Sequence, residues 1–121
     1  MRFVDVQGFC IRLDNQVEFQ KWLVENEERI KKSYPAGTEY GGIYAAVFSS
    51  EKNAGEYYWL DILDSYAGMD RGAALLKDPT SDFAKISEEF LRFLDTDRSA
   101  GSSHTLLKSV VDATIMDLPI A

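Results

Sequence analysis

Apolar residues recur along this chain at two different periods, and the changes between them mark its elements. From Phe3 to Leu13 the alternation is strand-like, with Phe9, Ile11 and Leu13 on one face and Cys10 and Arg12 on the other. Gly8 weakens the run and is the expected place for a bulge. From Asn15 the period lengthens, and Phe19, Trp22, Leu23 and Ile30 fall at helical spacing with acids outside them. Asn15 and Glu18 stand where a capping box would sit, while Pro35 and Gly37 end the helix.

Two strand-like runs follow, Thr38 to Phe48 and Glu56 to Asp64, joined by the polar tip Ser49 to Gly55. Their β-branched and aromatic residues, bounded by Ser, Asn and Gly, predict an antiparallel hairpin. The glycines of Ser65 to Gly72 predict a flexible lid or turn, with one short helical turn over Ala73 to Lys77. Pro79, Thr80 and Ser81 then open a second long helix. Its stripe is Phe83, Ile86, Phe90, Phe93 and Leu94. A loop over Asp95 to Ser102 and a last strand from His104 to Met116 complete the chain.

The order β-α-β-β-α-β predicts one α+β domain over residues 1–121, of the ferredoxin-like kind. Four antiparallel strands form the sheet, and two helices lie side by side on one face. The simplest hairpin register sets Ile43, Ala45 and Val47 beside Tyr58, Leu60 and Ile62, facing the helices. The other face then carries Tyr44, Ala46, Phe48, Tyr57, Trp59 and Leu63, with Asp61 among them. Helices cover only one side, so the second apolar face predicts a homodimer built through the sheet.

The element order, the run Pro35 to Tyr44 and the aromatic strand Tyr57 to Asp61 together resemble the dimeric α+β barrel superfamily. The resemblance covers nearly the whole chain. It implies two ferredoxin-like sheets packed face to face, with a cavity inside the barrel or between sheet and helices. Members include cofactor-independent monooxygenases, haem-degrading enzymes and lactone isomerases. No motif here matches a member's catalytic residues position by position, so fold alone leaves the reaction open.

Composition narrows the partners. The 121 residues are 45% hydrophobic and 27% charged, with a formal net charge of -7. That charge repels phosphate backbones and anionic membranes, which argues against nucleic acid and against a membrane partner. The single Cys10 excludes an internal disulfide and fits a reducing cytoplasm. No signal segment or membrane span is expected. No zinc spacing, nucleophile elbow or phosphate loop occurs, so no metal or other cofactor is implied.

The residues left for chemistry are few. Asp61, set among aromatics, would have its proton affinity raised and would act as a general acid or base, or else accept a structural hydrogen bond from Tyr44 or Arg12. His104, the only histidine, would shuttle protons or bind a ligand, or else sit at a wet strand end. Arg12 would hold a substrate carboxylate, or pair with Asp61 or Asp14. Tyr44, Tyr57 and Trp59 would wall a site for a small hydrophobic or aromatic molecule. Lys108 would face the cavity or, with Asp112, guard an edge strand. Trp22 reads as core, and Asn26 as a pocket residue or a solvated one. Two functions follow: a small enzyme resembling a cofactor-independent monooxygenase or an isomerase, or a non-catalytic ligand-binding or regulatory dimer.

Overall fold

Strand β1 (Phe3–Phe9) buries Phe3, Asp5 and Phe9 on one face, and its partners follow that choice. The computed structural model describes residues 2–48, 56–99 and 103–111. The hairpin tip and the chain from Asp112 onward, including the last five residues of the expected last strand, lie outside the described residues. A 3-10 turn, Leu13–Asn15, leads into α1 (Gln16–Ser33). Then come β2 (Thr38–Ala45), β3 (Tyr57–Leu63), α2 (Ala67–Lys77), α3 (Asp82–Leu91), a helical turn at Thr96–Ser99 and β4 (His104–Lys108). The sheet runs β2-β3-β1-β4 with every neighbouring pair antiparallel, which is the ferredoxin-like topology. Among the described residues no helix is long and apolar enough to cross a membrane.

The core lies between the sheet and the helices. Phe9, Ile11, Phe19, Trp22, Ile30, Tyr40, Ile86 and Phe93 form one buried cluster. Trp22 is buried there as expected, and its Nε1 donates to Glu89 at 3.1 Å. Arg29 joins Asp82 and Glu89, each at 2.8 Å, and so ties α1 to α3. Asn26 donates to the Trp22 carbonyl one turn back, at 2.8 Å.

Three local expectations are corrected. Strand β1 ends at Phe9, and Ile11 reaches an isolated bridge to Leu94 while Leu13 turns outward. Asn15 precedes α1 without a side-chain cap; its Nδ2 lies 3.5 Å from the Arg92 carbonyl oxygen instead. The glycine-rich segment is helical throughout α2, although a mid-helix glycine costs about 1 kcal/mol against Ala. Tertiary packing overrides that propensity at Gly68, where an added Cβ would stand 2.8 Å from Leu63 and 3.0 Å from Thr38. The missing side chain lets α2 settle directly onto the sheet.

The hairpin register is the largest correction. Ile43 and Ala45 do face the helices, but opposite Trp59 and Tyr57 rather than beside Leu60 and Ile62. A bulge between Tyr40 and Gly42 shifts the pairing, and Gly42 takes φ 105°, a conformation suited to glycine. Burial explains the choice of face. Trp59 meets Phe90 at 5.0 Å, and Tyr57 stacks on Phe9 at 5.8 Å, so the larger rings go inside. The open face keeps Tyr44 as expected, but Val4, Val6, Tyr58, Leu60 and Leu107 stand there in place of Tyr57, Trp59, Asp61 and Leu63.

Candidate functional site

Asp5 and Asp61 stand directly opposite one another on the two central strands, β1 and β3. The same pairing puts both on the helix side, with Phe3, Phe9, Trp59 and Leu63. Above them lies a cavity of about 240 Å³. Strands supply its polar floor: Asp5, Gln7 and Asp61, with Tyr34 from the chain just after α1. Its walls are Pro35, Leu63, Met69, Leu76 and Phe83, with Gly68, Gly72 and Ala73 leaving room along α2. A second pocket of about 130 Å³ shares Gln7, Tyr34, Asp61, Leu76 and Phe83, and extends toward Trp59 and Phe90.

Each carboxyl has its own set of partners. The Tyr34 hydroxyl donates to Asp61 Oδ1 and accepts from Trp59 Nε1 at 2.6 Å. Asp5 Oδ2 accepts from Gln7 Nε2 at 3.0 Å, while Oδ1 meets His104 Nε2. Asp5 is the one charged side chain buried in the core among the described residues, at 4% exposure. Such a position demands compensation, and Gln7 and His104 provide it.

The electrostatics single out Asp61. Burial pushes its carboxyl up from 3.8 to about 6. The Tyr34 hydrogen bond opposes that rise, repulsion from Asp5 adds to it, and the Trp59 hydrogen bond and the charge of His104 oppose it in turn. The Tyr34 hydroxyl is driven well above the ordinary phenol range by burial and by the adjacent Asp61 charge. Tyr34 therefore keeps its proton. Asp61 holds one that can leave near neutral pH, which is the range a general acid or base needs.

The residues singled out in the sequence fall in different places. Asp61 lines the cavity, Trp59 lines its inner extension, and His104 enters through Asp5. Tyr44 lies on the open face, half exposed, opposite Tyr58 and not Asp61; its hydroxyl donates to the Gly41 carbonyl at 2.8 Å. Tyr57 packs in the aromatic core against Phe9 and Phe19. Arg12 is exposed and pairs with Asp14 at 2.9 Å, away from Asp61. Lys108 sits exposed on β4 opposite Phe3. Asp112 lies outside the described residues.

Asp5, Gln7 and Tyr34 escaped sequence reasoning. The signal for Asp5 was present: an acid in Phe3-Val4-Asp5-Val6, a run otherwise suited to a central strand. Tyr34 carries no such mark, since its role depends on where the end of α1 meets β3.

No protein-family model matches the chain, and no curated protein matches its sequence. Solved structures share its fold. An uncharacterised NIPSNAP domain protein from Burkholderia xenovorans superposes with a TM-score of 0.65 at 12% identity, over 93% of this chain and 99% of the other. A NIPSNAP family protein from Agrobacterium tumefaciens gives 0.66 at 11% identity, over 96% and 99%. A candidate antibiotic biosynthesis monooxygenase from Nitrosomonas europaea gives 0.59 at 10% identity, over 92% of each chain. At these identities the likeness is one of fold, the ferredoxin-like α+β arrangement of a four-stranded antiparallel sheet with helices.

Proposed function

We propose that this chain is a small-molecule enzyme that removes a proton from a compact apolar substrate, with Asp61 as the base. The observation that carries this reading is a carboxyl titrating near pH 6 at the floor of an apolar cavity. The substrate class follows from the lining. Among the described residues no Lys or Arg lines the cavity, so a carboxylate or phosphate would meet two acids without a countercharge. A neutral ketone suits it better. The C–H bond beside a carbonyl would break, its proton would pass to Asp61, and its electron pair would move onto the carbonyl oxygen. Return of the proton at another carbon completes an isomerisation. Reaction of the same carbanion with dioxygen would instead begin an oxygenation, and the fold's likeness to the Nitrosomonas protein, named a candidate monooxygenase, supports that branch.

A screen of small neutral carbonyl compounds by ligand-observed NMR tests the site. Hits are expected to bind the native chain and to be lost in Leu76→Trp, where the indole fills the cavity from the half-exposed face of α2. Absence of any hit, or hits that survive Leu76→Trp, would remove the cavity from consideration.

The same reading includes a homodimer. Val4, Val6, Tyr58, Leu60 and Leu107 form an apolar strip on the side of the sheet away from the helices, and an isologous partner would cover it. Light scattering at micromolar concentration should give the mass of two chains, and Leu60→Arg should give the mass of one. A native monomer rules the dimer out.

A further inference from the structure

The contact between His104 and Asp5 joins solvent to the cavity floor. The His104 side chain is 52% exposed, whereas that of Asp5 is 6% exposed. Nε2 of the ring nevertheless meets Oδ1 of the buried carboxyl. Asp5 in turn opposes Asp61 across the central strand pair, where Cβ atoms stand about 5 Å apart. We propose that His104 and Asp5 form a proton relay that loads, and sets the charge of, Asp61. This rests on the reading of Asp61 as the proton-transfer group.

The alternatives around Asp61 are poorer routes. Tyr34, on its other side, donates its own proton to Asp61 and has its remaining lone pairs turned to Trp59. Tyr40, opposite on β2, is buried and directed to Glu27 at 3.4 Å. The helices α2 and α3 present Gly68, Met69, Gly72, Ala73, Leu76 and Phe83, none of them titratable. Arg71 of α2 is held by Asp64 at 3.0 Å. Gln7 donates to Asp5 without exchanging a proton.

The relay balances in a single cycle. A proton taken from water at one ring nitrogen of His104 is matched by release of the other ring proton to Asp5. The ring ends neutral with its tautomer reversed, and proton exchange with water at its exposed edge restores it. Asp5 passes the proton to the Asp61 carboxylate and regains its own charge. The two carboxyls face each other across the strand pair, and the charges of Asp5 and His104 act in opposite senses on the proton held by Asp61.

The test needs no substrate. The carboxyl carbon of Asp61, assigned by its loss in Asp61→Asn, is titrated by NMR in the native chain, in His104→Gln and in Asp5→Asn. Removing the imidazole, which lowers the proton affinity of Asp61, should raise the Asp61 midpoint, and removing the Asp5 charge should lower it, each by about half a pH unit or more. Relaxation dispersion near the midpoint should show proton exchange at Asp61 slowing several-fold in His104→Gln and recovering on addition of imidazole. His104 is exposed enough for its variant to fold, so that arm decides even where Asp5→Asn does not. An unchanged midpoint or an unchanged exchange rate in His104→Gln overturns the relay. Neither result touches the cavity-binding experiment, so the failure of one reading is separable from the failure of the other.

Discussion

Asp61→Asn is expected to lower proton abstraction from a bound ketone by about 10²- to 10⁴-fold, the usual contribution of a positioned general base. The readout is exchange of the substrate's α-hydrogen with deuterated solvent, using a compound from the carbonyl screen. Asparagine keeps the shape and still accepts from the Tyr34 hydroxyl, so affinity should change little. Loss of exchange with binding retained identifies a base. Binding retained by a native chain that never exchanges the proton identifies a binding module instead.

The same substitution should alter stability in the opposite sense. A carboxyl raised from 3.8 to about 6 binds its proton more tightly in the folded chain than in the unfolded one. Stability linked to Asp61 is therefore fully present below about pH 4 and is lost as pH rises through about 6. The loss above that window is about 3 kcal/mol. Asp61→Asn removes this liability, so at pH 8 the variant should resist urea better than the native chain, and below pH 4 the difference should vanish. A gain in stability together with a loss of exchange is the signature of a functional site held against its own folding energy. If the variant were less stable at pH 8, Asp61 would be a structural acceptor for Tyr34 and nothing more.

How far the sequence disclosed this site depends on which distances set it. Periodicity located β1, α1, both hairpin strands and α3, because each buries a stripe whose spacing is local. The register of the hairpin was not local. It depended on the bulge at Gly41 and Gly42, and on whether Trp59 and Tyr57 or Leu60 and Ile62 would fill the space under α3. The bulge turned the β2 residues beyond it, so that Ile43 and Ala45 share the helix side with Trp59 and Tyr57, while the unbroken pairing of β3 with β1 put Asp61 on that side. Its chemistry was legible as an acid among aromatics, but its neighbours were not. Tyr44 was too far along β2, and Tyr34 came from a different element. α2 was hidden for a related reason: Gly68 and Gly72 read as a loop by propensity, yet Gly68 is what lets the helix settle against Leu63 and Thr38 beside the cavity.

Phe19→Ala should cost about 3–5 kcal/mol, a large part of the 5–15 kcal/mol that holds a domain of this size together. Phe19 is 1% exposed and meets Phe9, Trp22, Tyr57, Phe90 and Phe93 with ring centroids 5.6 to 6.2 Å apart, so its removal leaves a cavity bounded by five rings drawn from α1, α3, the segment just after α3 and two strands. Rigid rings close such a gap poorly, which places the cost toward the upper end; Phe19→Leu, which keeps most of the volume, should lose far less. The contrast with Asp61 is instructive because Phe90 touches both regions, lying 6.0 Å from Phe19 and 5.0 Å from Trp59. If the aromatic core only supports the cavity, urea melts at pH 8 of Phe19→Ala, Asp61→Asn and the double variant should give additive energies, and the Asp61 midpoint should stay where it is in Phe19→Ala. A coupling above about 0.5 kcal/mol would instead mean that packing at Phe19 reaches Asp61 through Phe90, Trp59 and Tyr34, and that the proton affinity of the site is set by the core as well as by its own burial.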